Sequence, residues 1–269
     1  VRKIFNNSAS TPPPYNYELH FGDCLNVMQT IPDESIDMIL CDLPYGTTHN
    51  KWDIVIPLDK LWEHYTRIIK EHGCIALFCD GLFMANLMLS NTKLWRYNLI
   101  WDKQRGSDFL NANVKPLKSH EEIAIFYKKK PIYNKQLWYS SPYKKTKNGR
   151  LSDNYGNRGV AYTESLDGAR NPLSILSYPR DGGRFHPTQK PVALLEYLIK
   201  TYTNPGDVVL DNCMGSGSTG VACVNTNRYF IGIENNLEYD DIALRRISEA
   251  ANTILKKSKA ANTVLKKSD

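Results

Sequence analysis

VVLDNCMGSGSTG, Val208 to Gly220, reads as a strand, a glycine loop and the start of a helix. Val208 to Leu210 supply an apolar strand core, and Gly215 and Gly217 permit a tight turn with close backbone approach. Ser218 to Cys223 then open a helix whose N–H groups point back at the loop. Asp211, Gly215, Ser216, Gly217, Ser218 and Thr219 therefore form a candidate cradle for a small molecule. The next apolar run, Tyr229 to Ile233, ends in Glu234, at about the distance from a glycine loop where an acid grips ribose hydroxyls.

The rest of the chain continues the alternation. Strands are expected at Glu18 to Phe21, Ile36 to Cys41, Cys74 to Cys79, Tyr97 to Trp101 and Glu122 to Tyr127. Helices are expected at Leu58 to Glu71, Leu82 to Ser90, Val192 to Thr203, Ser218 to Asn225 and Leu237 to Ala251. This pattern predicts an α/β protein with a doubly wound, mostly parallel sheet and helices on both faces. Ligands then gather at the strands' C-terminal ends, where Asp23, Asp42, Asp80, Asp211 and Glu234 all fall. Asp80 is equally suited to capping the next helix.

DLPYG, Asp42 to Gly46, closes the strand Ile36 to Cys41. An amino group on an aromatic ring is a poor nucleophile because its lone pair is delocalised, so an enzyme that alkylates it must relocalise the pair. Asp42 accepts one N–H, a carbonyl of Leu43 or Pro44 accepts the other, and Tyr45 offers a π-face for stacking. Pro44 stiffens the turn. A third run, HPTQKP, His186 to Pro191, precedes the helix from Val192. Its Thr188 and Gln189 are short polar groups suited to holding an amino-acid carboxylate, and His186 and Lys190 flank them.

In content and order these segments resemble the amino-methylating DNA methyltransferases of the permuted beta arrangement, in which the catalytic tetrapeptide precedes the recognition segment and the cofactor loop. The resemblance spans about Tyr17 to Ile247 and takes in GDCLNVM, Gly22 to Met28, and HEEIAIFYK, His120 to Lys128. It departs at Leu43, where a second proline is usual, and at Asn212 and Cys213, where a proline and an aromatic are usual. The resemblance implies a Rossmann-like methyltransferase sheet, S-adenosyl-L-methionine as cofactor and DNA as substrate. It places Asp42, Leu43, Pro44 and Tyr45 at the reacting base, and Asp23 near the adenine of the cofactor. Asp42 favours adenine N6, because many cytosine-N4 enzymes carry Ser there; cytosine N4 is the alternative. The family allows a homodimer and a cognate restriction nuclease as partners, though no stretch specifies either.

The resulting organisation is a lead-in (1–16), a catalytic half (17–130), a target-recognition segment (131–185), a cofactor-binding half (186–249) and a basic repeat tail (250–269). The chain's net charge is +6, and its excess of positive charge is confined to two windows, the remainder carrying −3. Residues 131–185 hold four lysines and five arginines against three aspartates and one glutamate, a net +5, and residues 250–269 net +4. In the first window basic residues interleave with aromatics such as Tyr133, Trp138, Tyr139, Tyr143 and Tyr178, a composition suited to phosphates and bases. Lys144, Lys145, Lys147, Arg150, Arg158, Arg170, Arg180 and Arg184 are the candidate DNA contacts. The tail repeats AANTILKKS as AANTVLKKS at a spacing of ten, which fits a basic frayed helix and no heptad.

No apolar run reaches the eighteen or so residues needed to cross a bilayer, and the first residues lack a secretory core, so a reducing cytoplasm is expected. The six cysteines form no CxxC pair and the six histidines no HExxH, so free thiols and no metal are expected. GSGSTG also matches the dinucleotide pattern of a nicotinamide enzyme, but such an enzyme continues through further βα units and leaves DLPYG unexplained. A non-catalytic binder on a decayed methyltransferase fold would not need Asp42, Pro44, Tyr45, Gly215, Gly217 and Glu234 intact.

Overall fold

The computed structural model describes residues 2–5, 17–47, 53–146, 162–182 and 189–265. Two compact units emerge, a body formed by Val1–Asn134 with Ser174–Asp269, and a smaller unit, Lys135–Leu173. The body carries β1 (Arg2–Phe5), β2 (Tyr17–Phe21), α1 (Cys24–Met28), β3 (Ile36–Asp42), α2 (Leu58–Ile68), β4 (Ile69–Cys79), α3 (Gly81–Ser90), β5 (Trp95–Ser107) and β6 (Lys118–Phe126). The smaller unit contributes β7 (Trp138–Tyr139), β8 (Tyr143–Thr146), β9 (Tyr162–Ser165) and β10 (Ala169–Arg170). The chain returns to the body with β11 (Ile175–Ser177), α4 (Val192–Tyr202), β12 (Val208–Asp211), α5 (Ser218–Asn225), β13 (Tyr229–Glu234) and α6 (Leu237–Leu265).

Nine strands form one sheet in the order β1-β2-β13-β12-β3-β4-β6-β5-β11. Neighbours from β2 to β4 run parallel, as do β5 and β11, while β6 is antiparallel to both β4 and β5 and β1 is antiparallel to β2. Strand residues alternate between two cores as the two-residue period of a pleated strand demands. Met38, Leu40, Cys74, Ala76, Ile123 and Ile125 pack with α4, α5 and α6. Ile39, Cys41, Ile75, Leu77, Ala124 and Phe126 pack with α1, α2 and α3. Burial on both faces explains why the inner strands read as continuous apolar runs.

Chain order reverses between β3 and β12, which pair in parallel through Val209 with Met38 and Leu210 with Ile39. Such a switch point opens a crevice at the strands' C-terminal ends. The loops after both strands, the two that carry the sequence motifs, therefore face each other.

Four local expectations are revised. The helix from Leu58 stops at Ile68 rather than Glu71, because Ile69 turns extended and pairs with Ile36. Lys70 fixes that start by donating to both oxygens of Asp37 at 2.8 and 2.9 Å. The lead-in contains a strand, β1, which covers the edge of β2. Tyr178, counted among the recognition aromatics, packs against the body core, and its carbonyl accepts from Trp101 Nε1 at 2.8 Å. The helix from Leu237 does not stop at Ala251: α6 runs on to Leu265, with Ala251 buried and Ile254 packed against the core. Among the described residues, no helix is long and apolar enough to cross a membrane.

Candidate active site

Asp42, Leu43, Pro44 and Tyr45 line a cavity of about 460 Å³ at the switch point. The same cavity takes in Asp23, Asp211, Glu234 and loop residues Gly215, Ser216, Ser218 and Thr219, with Gln189 and Lys190 from the approach to α4. Gly217 holds the turn itself, with φ +77°. His186 and Thr188 lie outside the described residues, as do Lys147, Arg150, Arg158 and Arg184.

The run after β3 is braced by a carboxylate that sequence reading missed. Asp53 accepts from the backbone N–H of Gly46 at 2.8 Å and of Thr47 at 2.9 Å. Leu43, the departure from a second proline, is buried in the core beneath. Tyr45 stacks on Phe83 with ring centroids 5.0 Å apart, which fixes the ring plane. Its hydroxyl donates to Asp42 Oδ1 at 2.8 Å.

Asp42 Oδ2 pairs with Lys190 Nζ. Lys190, placed by sequence with the cofactor group, stands against the Asp42 carboxylate. It also lies 3.3 Å from Glu121 Oε2, while Glu121 Oε1 pairs with Lys103 at 2.5 Å. Two lysines and two carboxylates form a linear chain of alternating charge in which each lysine side chain is only 7–8 % exposed. Burial pushes the Asp42 carboxyl above its ordinary value; Lys190 opposes this and Glu121 adds to it. Glu121 and Lys103 come from strands β6 and β5; Glu121 falls in the HEEIAIFYK run of the resemblance, but neither residue was singled out for the site.

On the cofactor side the acids hold the loop. Glu234 Oε2 accepts from Gly215 N–H at 2.8 Å, and Oε1 from the N–H groups of Asn235 and Asn236 at 3.0 and 2.9 Å. Asp211, 3 % exposed, accepts from Thr219 Oγ1 at 2.6 Å and Cys213 N–H at 3.1 Å. Burial pushes its carboxyl up to about 6 against those hydrogen bonds. Its two oxygens thereby tie the strand end to the loop, Oδ1 through Cys213 and Oδ2 through Thr219. Asp23 caps α1 through Asn26 N–H at 3.1 Å while facing the cavity. Asp80, by contrast, makes no side-chain cap and pairs with Lys118.

Two further supports come from distant elements. Arg246 on α6 donates to the Ser216 carbonyl at 2.5 Å and to Ser216 Oγ at 2.9 Å. Asn212, in place of the usual proline, accepts from the buried Tyr65 hydroxyl at 2.5 Å. Cys213, beside it, contacts Cys24 and Cys41, and all six cysteines are free thiols. Gln189 Oε1 is buried on the cavity wall without a hydrogen-bond partner. A buried acceptor left open in this way fits a site that a polar ligand completes. Among the described residues, no cluster of His, Cys, Asp or Glu could hold a metal ion.

Residues 36–245 match the model of a DNA methylase family whose members act on N6 or N4 amino groups. Over 265 aligned residues the chain is 30 % identical to the DNA adenine methyltransferase YhdJ of Escherichia coli (strain K12), covering 92 % of this chain and 86 % of that protein. It is 28 % identical to the Type II methyltransferase M.HinfI of Haemophilus influenzae, covering 85 % and 67 %. The solved M1.HpyAVI-SAM complex superimposes with a TM-score of 0.59 at 26 % identity, covering 86 % and 99 % of the two chains. The cytosine-N4-specific PvuII DNA methyltransferase gives 0.64 at 16 % identity, covering 91 % and 95 %, a likeness of fold alone.

The fold, with its cleft at the switch point, is that of a methyltransferase. The chain belongs to the N6/N4 DNA methylase family and is an S-adenosylmethionine-dependent DNA amino-methyltransferase.

Proposed function

We propose that this chain methylates N6 of an adenine turned out of duplex DNA. The observation that carries the reading is a carboxylate, Asp42, on the wall of the cavity that also holds the Gly215–Thr219 loop and Glu234. The adenine activity of the relative YhdJ supports the same base.

Asp42 accepts one N–H of the target amino group, and the Leu43 or Pro44 carbonyl accepts the other, which relocalises the nitrogen lone pair. Each oxygen of a carboxylate offers two acceptor sites, so Tyr45 and Lys190 leave room for the substrate. The ring of Tyr45, backed by Phe83, is the stacking surface. For the cofactor, Gln189 would supply a polar contact, Asp23 and Glu234 would hold the nucleoside, and the Gly215–Thr219 backbone would form the cradle. S-adenosylmethionine, when bound, supplies a methyl group on an already activated sulfonium. The protein's share is therefore alignment and the removal of water, with no covalent enzyme intermediate. Residues 131–185, with Lys144 and Lys145 on β8, supply contacts to DNA.

The test is nucleoside analysis of DNA treated with enzyme and methyl-labelled cofactor. Label in N6-methyladenine is expected; label confined to N4-methylcytosine would move the activity to the other base of the family.

A further inference from the structure

We propose that Lys190 is a positioning residue for methyl transfer: held between Asp42 and Glu121, it keeps the Asp42 carboxylate ionised and aimed at the target amino group. This rests on the methyl-transfer reading above, which by itself leaves Lys190 with no part in the chemistry.

The geometry assigns that role in three ways. Lys190 Nζ meets Asp42 Oδ2 and lies 3.3 Å from Glu121 Oε2, so its position is set by two acids from β3 and β6. Its charge also sits 5.0 Å from the centre of the Phe78 ring, a cation–π contact that favours a desolvated ammonium. Glu121 is pinned in turn by Lys103, which lies 5.4 Å from the Trp101 ring centre. A lysine destined for a cofactor carboxylate would not need two carboxylates of the protein already paired with it.

The charge balance at Asp42 shows what the lysine does. Facing Asp42 are Lys190 before α4, Glu121 on β6, Tyr45 of its own loop, Asp211 on β12 and the thiols of Cys41 and Cys79. Burial and Glu121 favour the protonated acid; Lys190 is the nearest cation opposing them, with the Tyr45 hydroxyl adding a hydrogen bond. A protonated Asp42 turns one acceptor into a donor and loses its hold on an amino group that has only protons to give. Burial alone would lower the Lys190 ammonium, but Asp42 and Glu121 outweigh it and hold the lysine charged.

Two variants give opposite signs. Lys190→Met removes the cation, so the acid limb of kcat moves to higher pH by about 1 to 3 units, the usual effect of an adjacent opposite charge. Glu121→Gln removes the like charge, so the limb moves to lower pH. Cofactor binding by calorimetry stays within about twofold of wild type for Lys190→Met. The same two shifts are read without turnover by carbon-13 NMR of the Asp42 carboxyl in the full-length protein. If Lys190→Met weakens cofactor binding tenfold and leaves the limb in place, Lys190 is a cofactor residue and the proposal is overturned. Shifts of the same sign in both variants overturn it as well. Failure of the methyl-transfer reading is distinct: the wild type then methylates no DNA, while the NMR titration still decides the role of Lys190.

Discussion

Asp211, at the end of β12, is a carboxyl that folding holds near 6 because burial outweighs its hydrogen bonds to Thr219 and Cys213. Its ordinary value is 3.8, so between about pH 4 and pH 6 the folded chain binds the proton that the unfolded chain has released. Its contribution is most favourable below about pH 4 and is lost as pH rises through 6. The difference in stability between Asp211→Asn and wild type, read by urea unfolding, is therefore expected to move in favour of the variant by about 2 to 3 kcal/mol between pH 4 and pH 7. A flat difference would remove burial as the dominant influence on this group. Asp42 calls for a kinetic measurement. Asp42→Ala leaves Glu121 to balance Lys190, so the fold and cofactor affinity are expected to survive while turnover falls by about two to four orders of magnitude. Calorimetry beside a methylation assay checks this; a fall in cofactor binding equal to the fall in activity would end the division of labour between the two halves of the cavity.

Between β12 and α5 the glycine loop makes unequal demands on its two turn residues. Gly215 has φ +50° with open space where a Cβ would stand, whereas at Gly217, φ +77°, an added Cβ meets Ala243 Cα at 2.9 Å and Cβ at 2.8 Å on α6. Gly215→Ala is expected to cost about 1 to 2 kcal/mol, the left-handed penalty alone. Gly217→Ala adds about 1 to 3 kcal/mol of overpacking, because helix backbone must give way. Urea unfolding of both variants tests the ranking, and equal destabilisation would show that the loop tolerates movement of α6. The element also shows where local pattern stops. The strand, loop and helix start were legible in VVLDNCMGSGSTG, but the Arg246 bracket on Ser216 arises thirty residues away on α6, where an arginine in a helix reads only as a surface charge.

At the scale of the molecule, the smaller unit, Lys135–Leu173, carries two short antiparallel pairs, β7 with β10 and β8 with β9. Lys144 is exposed on β8, with Glu164 3.7 Å away, a pairing of little energetic weight at this exposure. Neutralising Lys144, Lys145 and Lys147 together is expected to weaken DNA binding and flatten its salt slope by up to roughly 0.9 for each phosphate that is no longer neutralised. A salt titration decides it, and an unchanged slope would remove these lysines from the interface. Arg170 is expected from sequence among the DNA contacts, but its guanidinium lies 4.3 Å from the Tyr143 ring centre and donates to the Ser141 carbonyl at 2.5 Å. Arg170→Ala is therefore expected to loosen this unit, seen as faster proteolysis within it, before it alters the methylated sequence. Arg180, exposed in the body after β11, is the better candidate for reading a base.

What the sequence by itself determined is the part that depends on neighbours in the chain: the βα alternation, the glycine turn, and the placing of Asp42, Asp211 and Glu234 at strand ends. Periodicity and turn chemistry are local, so they are written where they act. Tertiary structure alone decided what those acids touch. β6 enters antiparallel between β4 and β5 and brings Glu121 to the cavity, β5 brings Lys103, and the approach to α4 brings Lys190 onto Asp42 across 148 residues of chain. A buried charge is tolerated where opposite charges or hydrogen-bond donors converge on it, and at Asp42 that convergence is a property of the packed sheet, carried by no single segment.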